Sequence, residues 1–231
     1  MRQLKLLFML VLIIGLAERA AAHEHWVDVS SFYPDRGETL EVYICSGHHF
    51  PEGDHVLEDK VVEGLRMWTA GKTPRLIESV VDEKFRTAEI ALEHEGVHIV
   101  GFTLKRPKAK KPSFEAKAIV VANPLKDDPG RYGLGEGLEL VPLEAVSAIR
   151  PGDTLSVSLA LDGNSIGAPL QVIPENGRTH YARTDVDAPA PIPIRTCGRY
   201  LVMAQVEGRG ASLVFEVREQ DATEDMGKEI P

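Results

Sequence analysis

The chain has 231 residues, 43% hydrophobic and 26% charged, with a formal charge of −9. That is an ordinary globular composition, long enough for one large or two small β domains with real cores. Its acidic balance argues against nucleic acid as a partner and attracts cations.

Residues 1–22 read as a signal peptide. Arg2 and Lys5 form a basic n-region, Leu6 to Ala17 an apolar run of twelve, and Ala20-Ala21-Ala22 an A-x-A cleavage site. Such a run is too short to cross about 30 Å of hydrocarbon, so a removed leader and a periplasmic location are expected. Arg2, Lys5 and Arg19 leave with only Glu18, so the formal charge falls from −9 to −11. Cleavage after Ala22 exposes a new terminus, His23-Glu24-His25. Its amine, two amide nitrogens and the imidazole of His25 can surround an ion in a plane, the geometry Cu(II) and Ni(II) prefer. Alternatively, the amine and side chain of His23 grip copper together with a distant histidine, as a brace.

Beyond the terminus, short alternating or apolar segments bounded by Gly, Pro, Asn and Asp recur throughout. This is the signature of an all-β chain, here two tandem β-sandwich domains with the second immunoglobulin-like. In the first domain, 23–124, strands are expected at His25–Val29, Thr39–Cys45, Leu57–Trp68, Leu76–Asp82, Thr87–Leu92, Gly96–Lys105 and Ser113–Ala122. Val97 and Ile99 alternate with Val100 and Phe102, so the strand from Gly96 has two apolar faces and belongs centrally in its sheet. Lys105 to Lys111 reads as an exposed hairpin loop. The glycine-rich passage at 125–137 is the expected linker. A second domain, 138–218, holds strands near Leu138–Pro142, Thr154–Leu161, Leu170–Pro174, His180–Thr184, Arg199–Val206 and Ala211–Val217, and 219–231 is a polar tail expected to be disordered.

The loop SGHHFPEGDH concentrates His48, His49, Glu52, Asp54 and His55. Imidazoles and carboxylates in that density can complete a Ni, Co, Cu or Zn site, with His48 the first candidate and His49 and His55 possible additions. If the loop folds beside the terminus, His23 and His48 form a two-histidine copper brace. Three other motifs fail. HEGVH at His94–His98 matches a zincin pattern literally, but Gly96 and its β-branched neighbours favour a turn into a strand. AGKT at Ala70–Thr73 lacks the first glycine of a phosphate loop, and Ser46 is not in a nucleophile elbow. No catalytic residue is therefore expected.

Cys45 and Cys197 are the two cysteines, in a chain bound for an oxidising compartment. A disulfide between them is the expectation, and would stabilise the fold by roughly 4–5 kcal/mol in the chain-entropy model. Its rival is a soft metal pair formed by Cys45 and His48.

Several segments resemble one family in order. The opening HEHW, the turn-strand PDRGETLEV and GHHFPEGD are similar to its N-terminal half; the run from Gly137 to Val172, then HYARTDVD, CGRYLVMAQV and ASLVFEV, look like its C-terminal half. This is the NikM-like family of exported proteins found near nickel and cobalt uptake systems. The resemblance covers nearly all of the mature chain. It implies a periplasmic, β-rich, non-enzymatic accessory protein binding Ni(II) or Co(II), with a membrane metal transporter component as its partner. Carried over, the metal-related residues are His23, His25 and His48. The chain departs from the family where Asp187 runs into the proline-rich stretch Ala188–Ile194. Some members carry a membrane span after the soluble region; none is expected here, so any transporter contact is expected through a separate partner. Copper handling, oxidative copper chemistry and a purely structural adaptor stand as alternatives.

Overall fold

The computed structural model describes residues 23–70, 72–82, 85–105 and 114–219. The expected leader, most of the basic loop and nearly all of the polar tail lie outside the described residues. The rest is all-β, and the helical elements among the described residues are short 3-10 turns. The first half contributes β1 (Glu24–Val29), β2 (Thr39–Gly47), β3 (Val62–Thr69), β4 (Arg75–Ile77), β5 (Val80–Val81), β6 (Arg86–Ala91), β7 (Gly96–Leu104) and β8 (Phe114–Ala122). The second contributes β9 (Leu138–Pro142), β10 (Thr154–Leu161), β11 (Asn164–Ser165), β12 (Ala168–Pro174), β13 (His180–Thr184), β14 (Ala190–Pro193), β15 (Gly198–Val206) and β16 (Arg209–Val217).

The two halves repeat one immunoglobulin-like arrangement. An outer sheet β1-β2-β6-β5 faces strands β8-β7-β3-β4, and an outer sheet of β9, β10, β11 and β14 faces β16-β15-β12-β13. The inner strands of both halves join into a single eight-stranded sheet, because β8 and β16 pair in parallel from Phe114↔Gly210 to Ala118↔Val214. Two sandwiches joined by parallel neighbouring strands present their outer sheets to opposite faces of the common sheet. Alternation along β8 shows this directly. Phe114, Ala116, Ala118 and Val120 enter one core with Trp26, Leu40 and Ile44, whereas Ile119 and Val121 enter the other with Leu140, Leu155 and Phe215.

Each core also borrows from the other half. Leu201 and Val214 lie in the first core, and Val97 and Ile99 in the second. Strands β7 and β8 are therefore buried on both faces, as the double apolar pattern from Val97 to Phe102 predicts. A hydrogen-bonded ion pair adds to the join, Arg199 donating to the buried Asp28 carboxylate at 2.6 Å. Within residues 125–137, Tyr132 is fully buried in the second core; its hydroxyl donates to Asp127 and accepts from the Val146 amide at 2.9 Å.

The expected disulfide is not formed: Cys45 and Cys197 are free thiols. Cys45 lies on β2 opposite Trp26, its side chain sealed in the first core. Cys197 lies half-buried just before β15, with Sγ 3.7 Å from Glu219 Oε1. Compartment logic supplies a reason to oxidise two thiols but says nothing about the Cβ geometry a bridge demands. Among the described residues, no helix is long and apolar enough to cross a membrane.

Candidate metal centre

The cluster begins with strand register. Glu24 pairs with Gly47 and His25 with Ser46 across the antiparallel β1–β2 ladder. The next residues out, His23 and His48, therefore emerge side by side at the same sheet end, their rings 4.5 Å apart. The chain then makes a turn in which His49 bridges Glu52 and the Phe50–Pro51 peptide is cis. It returns so that the amides of Asp54 and His55 both donate to the Ser46 carbonyl, at 3.0 and 2.9 Å. The His55 ring thereby comes within 3.9 Å of the His23 ring. Gly47 makes room for the return, since a Cβ there would collide with the Asp54 carboxylate.

One ligand atom from each of His23, His48, Asp54 and His55 lies within 4.8 Å of all the others, and all four residues are exposed. Metal–nitrogen bonds of roughly 2.0–2.1 Å put opposed ligand atoms about 4 Å apart, so modest movement of exposed side chains closes the set on an ion. Asp54 has a second use. Its two oxygens lie 3.6 Å from His48 Nδ1 and 3.4 Å from His55 Nε2. A carboxylate so placed fixes ring orientation and tautomer, leaving the other ring nitrogens for a metal.

The electrostatics favour a cation. Desolvation, then repulsion from His55 and His48, hold His23 below the usual histidine range. Desolvation pushes Asp54 upward, but His55 and His48 outweigh it, and the carboxyl stays below its ordinary value. An imidazole at His23 that resists protonation, beside an Asp54 carboxylate that stays charged, is suited to a metal ion rather than to protons. Glu24 borders the group: burial raises its pKa against the pull of His48 and His49, and its Oε2 is buried without a hydrogen-bond partner.

The structure sorts the predicted ligands. His23, His48 and His55 come together, with Asp54 as the fourth member. His25 does not join them: its ring packs edge-on against Phe114 at 5.1 Å, and burial lowers its pKa to about 4. A planar chelate through His25 would have to pull that ring out and disturb the β1–β2 ladder that holds the Glu24 and His25 backbone. His49 sits exposed in the turn, outside the set, and Cys45 is buried away from it. The HEGVH segment is a turn entering β7. His98 is buried there, donating from Nε2 to the His94 carbonyl at 2.9 Å with Nδ1 3.0 Å from the Thr69 hydroxyl.

A family model described as "Domain of unknown function (DUF4198)" matches residues 20–208. No curated protein matches the chain. Among solved structures, the chain is similar to a two-domain fibronectin type-III segment of chicken tenascin, at 11% identity over 84% of this chain and 99% of that one, with a TM-score of 0.30. It is also similar to the full ectodomain of mouse nectin-like molecule 4, at 14% identity over 91% and 67% of the two chains, with a TM-score of 0.26. A third is the Escherichia coli adhesin FdeC, at 16% identity over 87% and 66%, with a TM-score of 0.25. Likenesses this loose carry nothing about function.

Proposed function

We propose, on the premise that the chain belongs to the DUF4198 family of domains of unknown function, that it is an exported accessory protein that captures a transition-metal ion. The observation that carries this reading is the convergence of His23, His48, His55 and Asp54 at one sheet end. Three imidazoles and a carboxylate form a borderline nitrogen-rich site suited to Ni(II), Co(II), Cu(II) or Zn(II). Export and processing after Ala22 would add the amine of His23 as a further nitrogen ligand beside its own imidazole. The similarity of the HEHW and GHHFP segments to NikM-like domains favours nickel or cobalt uptake as the setting, with delivery to a separate membrane transporter component. The task is binding rather than catalysis.

One feature favours copper as the second reading. A terminal histidine whose ring stands against a second histidine is the ligand pattern of a copper brace, and His23 has both His48 and His55 within that reach.

Titration with Ni(II), Co(II) and Cu(II) of protein beginning at His23 tests both readings. One equivalent should bind tightly, and His48→Ala or His55→Ala should weaken binding at least tenfold, while His49→Ala should not. Adding one residue before His23 should weaken Cu(II) most if the amine is a ligand. Absence of stoichiometric binding, or binding indifferent to His48 and His55, would sink the proposal.

A further inference from the structure

On the opposite face of β8 from the His25–Phe114 contact lies a cavity of about 390 Å³. That volume falls within the roughly 300–1,000 Å³ of ordinary small-molecule sites. Its floor is the common eight-stranded sheet where the two halves join, with Arg66 and Trp68 from β3, Glu115 and Lys117 from β8, and Arg209 from β16. Its other side is the segment from Leu134 to Glu139 together with Asp162. Gly137 comes so close to the floor that a Cβ there would lie 2.6 Å from Glu115 Oε1.

Most of the charge here is internally paired. Lys117, fully enclosed, donates to Glu139 at 2.8 Å and to the Tyr132 carbonyl at 2.7 Å. Arg209 donates to Glu115 at 2.6 Å. Three charged groups are left over. Arg66, exposed on the sheet, has no ion pair among the described residues, nor does Glu136; the Asp162 carboxylate accepts the Gly137 N–H at 3.0 Å, while the Asn164 amide donates to the Asp162 main-chain carbonyl. One unpaired cation on the floor and two unpaired anions on the other side thus share a cavity. Trp68, half-buried against the second core, supplies an apolar wall between polar groups. In the floor, Glu115 Oε2 and Arg209 Nε are buried without hydrogen-bond partners. A packed structural seam would be expected to satisfy these atoms; a polar ligand site tolerates them.

We infer that this cavity binds a small amino-acid-like zwitterion, its carboxylate on Arg66, its ammonium between Glu136 and Asp162, and its apolar body on Trp68. A guanidinium presents the planar fork that a carboxylate fits, and an aromatic face beside carboxylates suits an ammonium-bearing apolar ligand. This site is independent of the metal centre, which lies at the end of β1 and β2.

Calorimetric and ligand-observed NMR titrations of chelator-treated, metal-free protein with L-leucine and 5-aminopentanoate test the inference. Removing metal prevents an amino acid from registering through chelation at the histidines. At least one of the two should bind, and should bind at least tenfold more tightly than the single-charge analogues isopentylamine and 4-methylpentanoate. Arg66→Gln and Glu136→Gln, both changes to exposed side chains, should each weaken it at least tenfold while leaving the thermal midpoint unchanged. His48→Ala should leave it intact. Isopentylamine binding as well as the zwitterions would make this an organic-cation site, and absence of binding would make it a structural void; either result, or indifference to Arg66→Gln, overturns the proposal.

Discussion

The buried Asp28 carboxylate on β1 accepts from Arg199 on β15 at 2.6 Å, tying the first strand of one half to the second half. Burial outweighs the pull of Arg199 and holds the Asp28 carboxyl above its usual range. The pair therefore adds little net stability, but breaking it is costly, because one partner is then left desolvated and alone. Arg199→Met should destabilise the protein by about 2–3 kcal/mol, below the usual 3–5 for a fully buried pair because Arg199 is a third exposed. Asp28→Leu with Arg199→Met should recover most of that loss. Because each core borrows strands from the other half, urea unfolding followed by Trp fluorescence and by far-UV circular dichroism should show one shared transition. Two separated transitions would refute the common core.

Gly47 tests the metal centre without removing a ligand. Its missing Cβ leaves the space that the Asp54 carboxylate occupies. Gly47→Ala should displace Asp54 and with it His55, lowering Ni(II) or Cu(II) affinity at least tenfold although every ligand residue is still present. Gly37→Ala is not an equal control, because Gly37 has a φ of 88° and would be strained for its own reasons. His49→Ala serves better, since that side chain stands in the same loop but outside the ligand set.

What was legible in the sequence follows from what periodicity encodes. Alternation and turn residues revealed most of the strands, though not β11 or the proline-rich β14, and the double-faced pattern of Val97 to Phe102 revealed a central strand. The parallel pairing of β8 with β16 was not legible, because apolar strands carry no mark of which distant edge they join. His23 and His25 were expected to act together in a planar chelate of the terminal amine, two amide nitrogens and the His25 imidazole. But β1 begins at Glu24, so His23 stands beyond the ladder while His25 is drawn beneath it against Phe114. His55 looked secondary in the sequence because its approach to His23 depends on the loop returning to Ser46. The cavity had one faint signal, Glu115 and Lys117 at alternate positions inside the mostly apolar run FEAKAIVVA of β8. The lysine charge there needs a buried partner, and Glu139 is that partner.

Acid should act on both the fold and the site. Burial lowers the pKa of His98, against the hydrogen bond to the His94 carbonyl that raises it. Below about pH 6.5 the unfolded chain takes up a proton that the folded chain refuses, so stability falls with pH until the folded His98 also titrates. His25 acts in the same direction down to about pH 4. On the histidine contribution, stability should therefore be flat between about pH 7 and 8 and decline below about pH 7. His98→Gln should reduce the slope by at most about 1.4 kcal/mol per pH unit, the limit for one proton. Denaturant titrations at stepped pH values measure this directly, and a slope unchanged by the substitution would rule His98 out. Metal affinity should also fall below the ordinary histidine range, because protons compete with the ion for imidazole nitrogens. The resistance of His23 to protonation delays that loss at its own position.

The two thiols should behave differently. Burial pushes the Cys45 thiol up to about 12, so at neutral pH it is neither ionised nor reachable, and both conditions oppose its attack on a reagent. Cys197 is half-buried at a strand entrance and open to small reagents. Native protein should release one equivalent of chromophore from an aromatic disulfide reagent, at Cys197, and a second only on unfolding. Cys197→Ser should abolish the fast equivalent, whereas Cys45→Ser should leave it. If purified, periplasmically exported protein gives no thiol before reduction and two afterwards, the sulfurs are joined in the native protein and the free-thiol arrangement is wrong. Such a bond would tie β2 of the first half to the entrance of β15 in the second, the same two halves that Asp28 and Arg199 already connect.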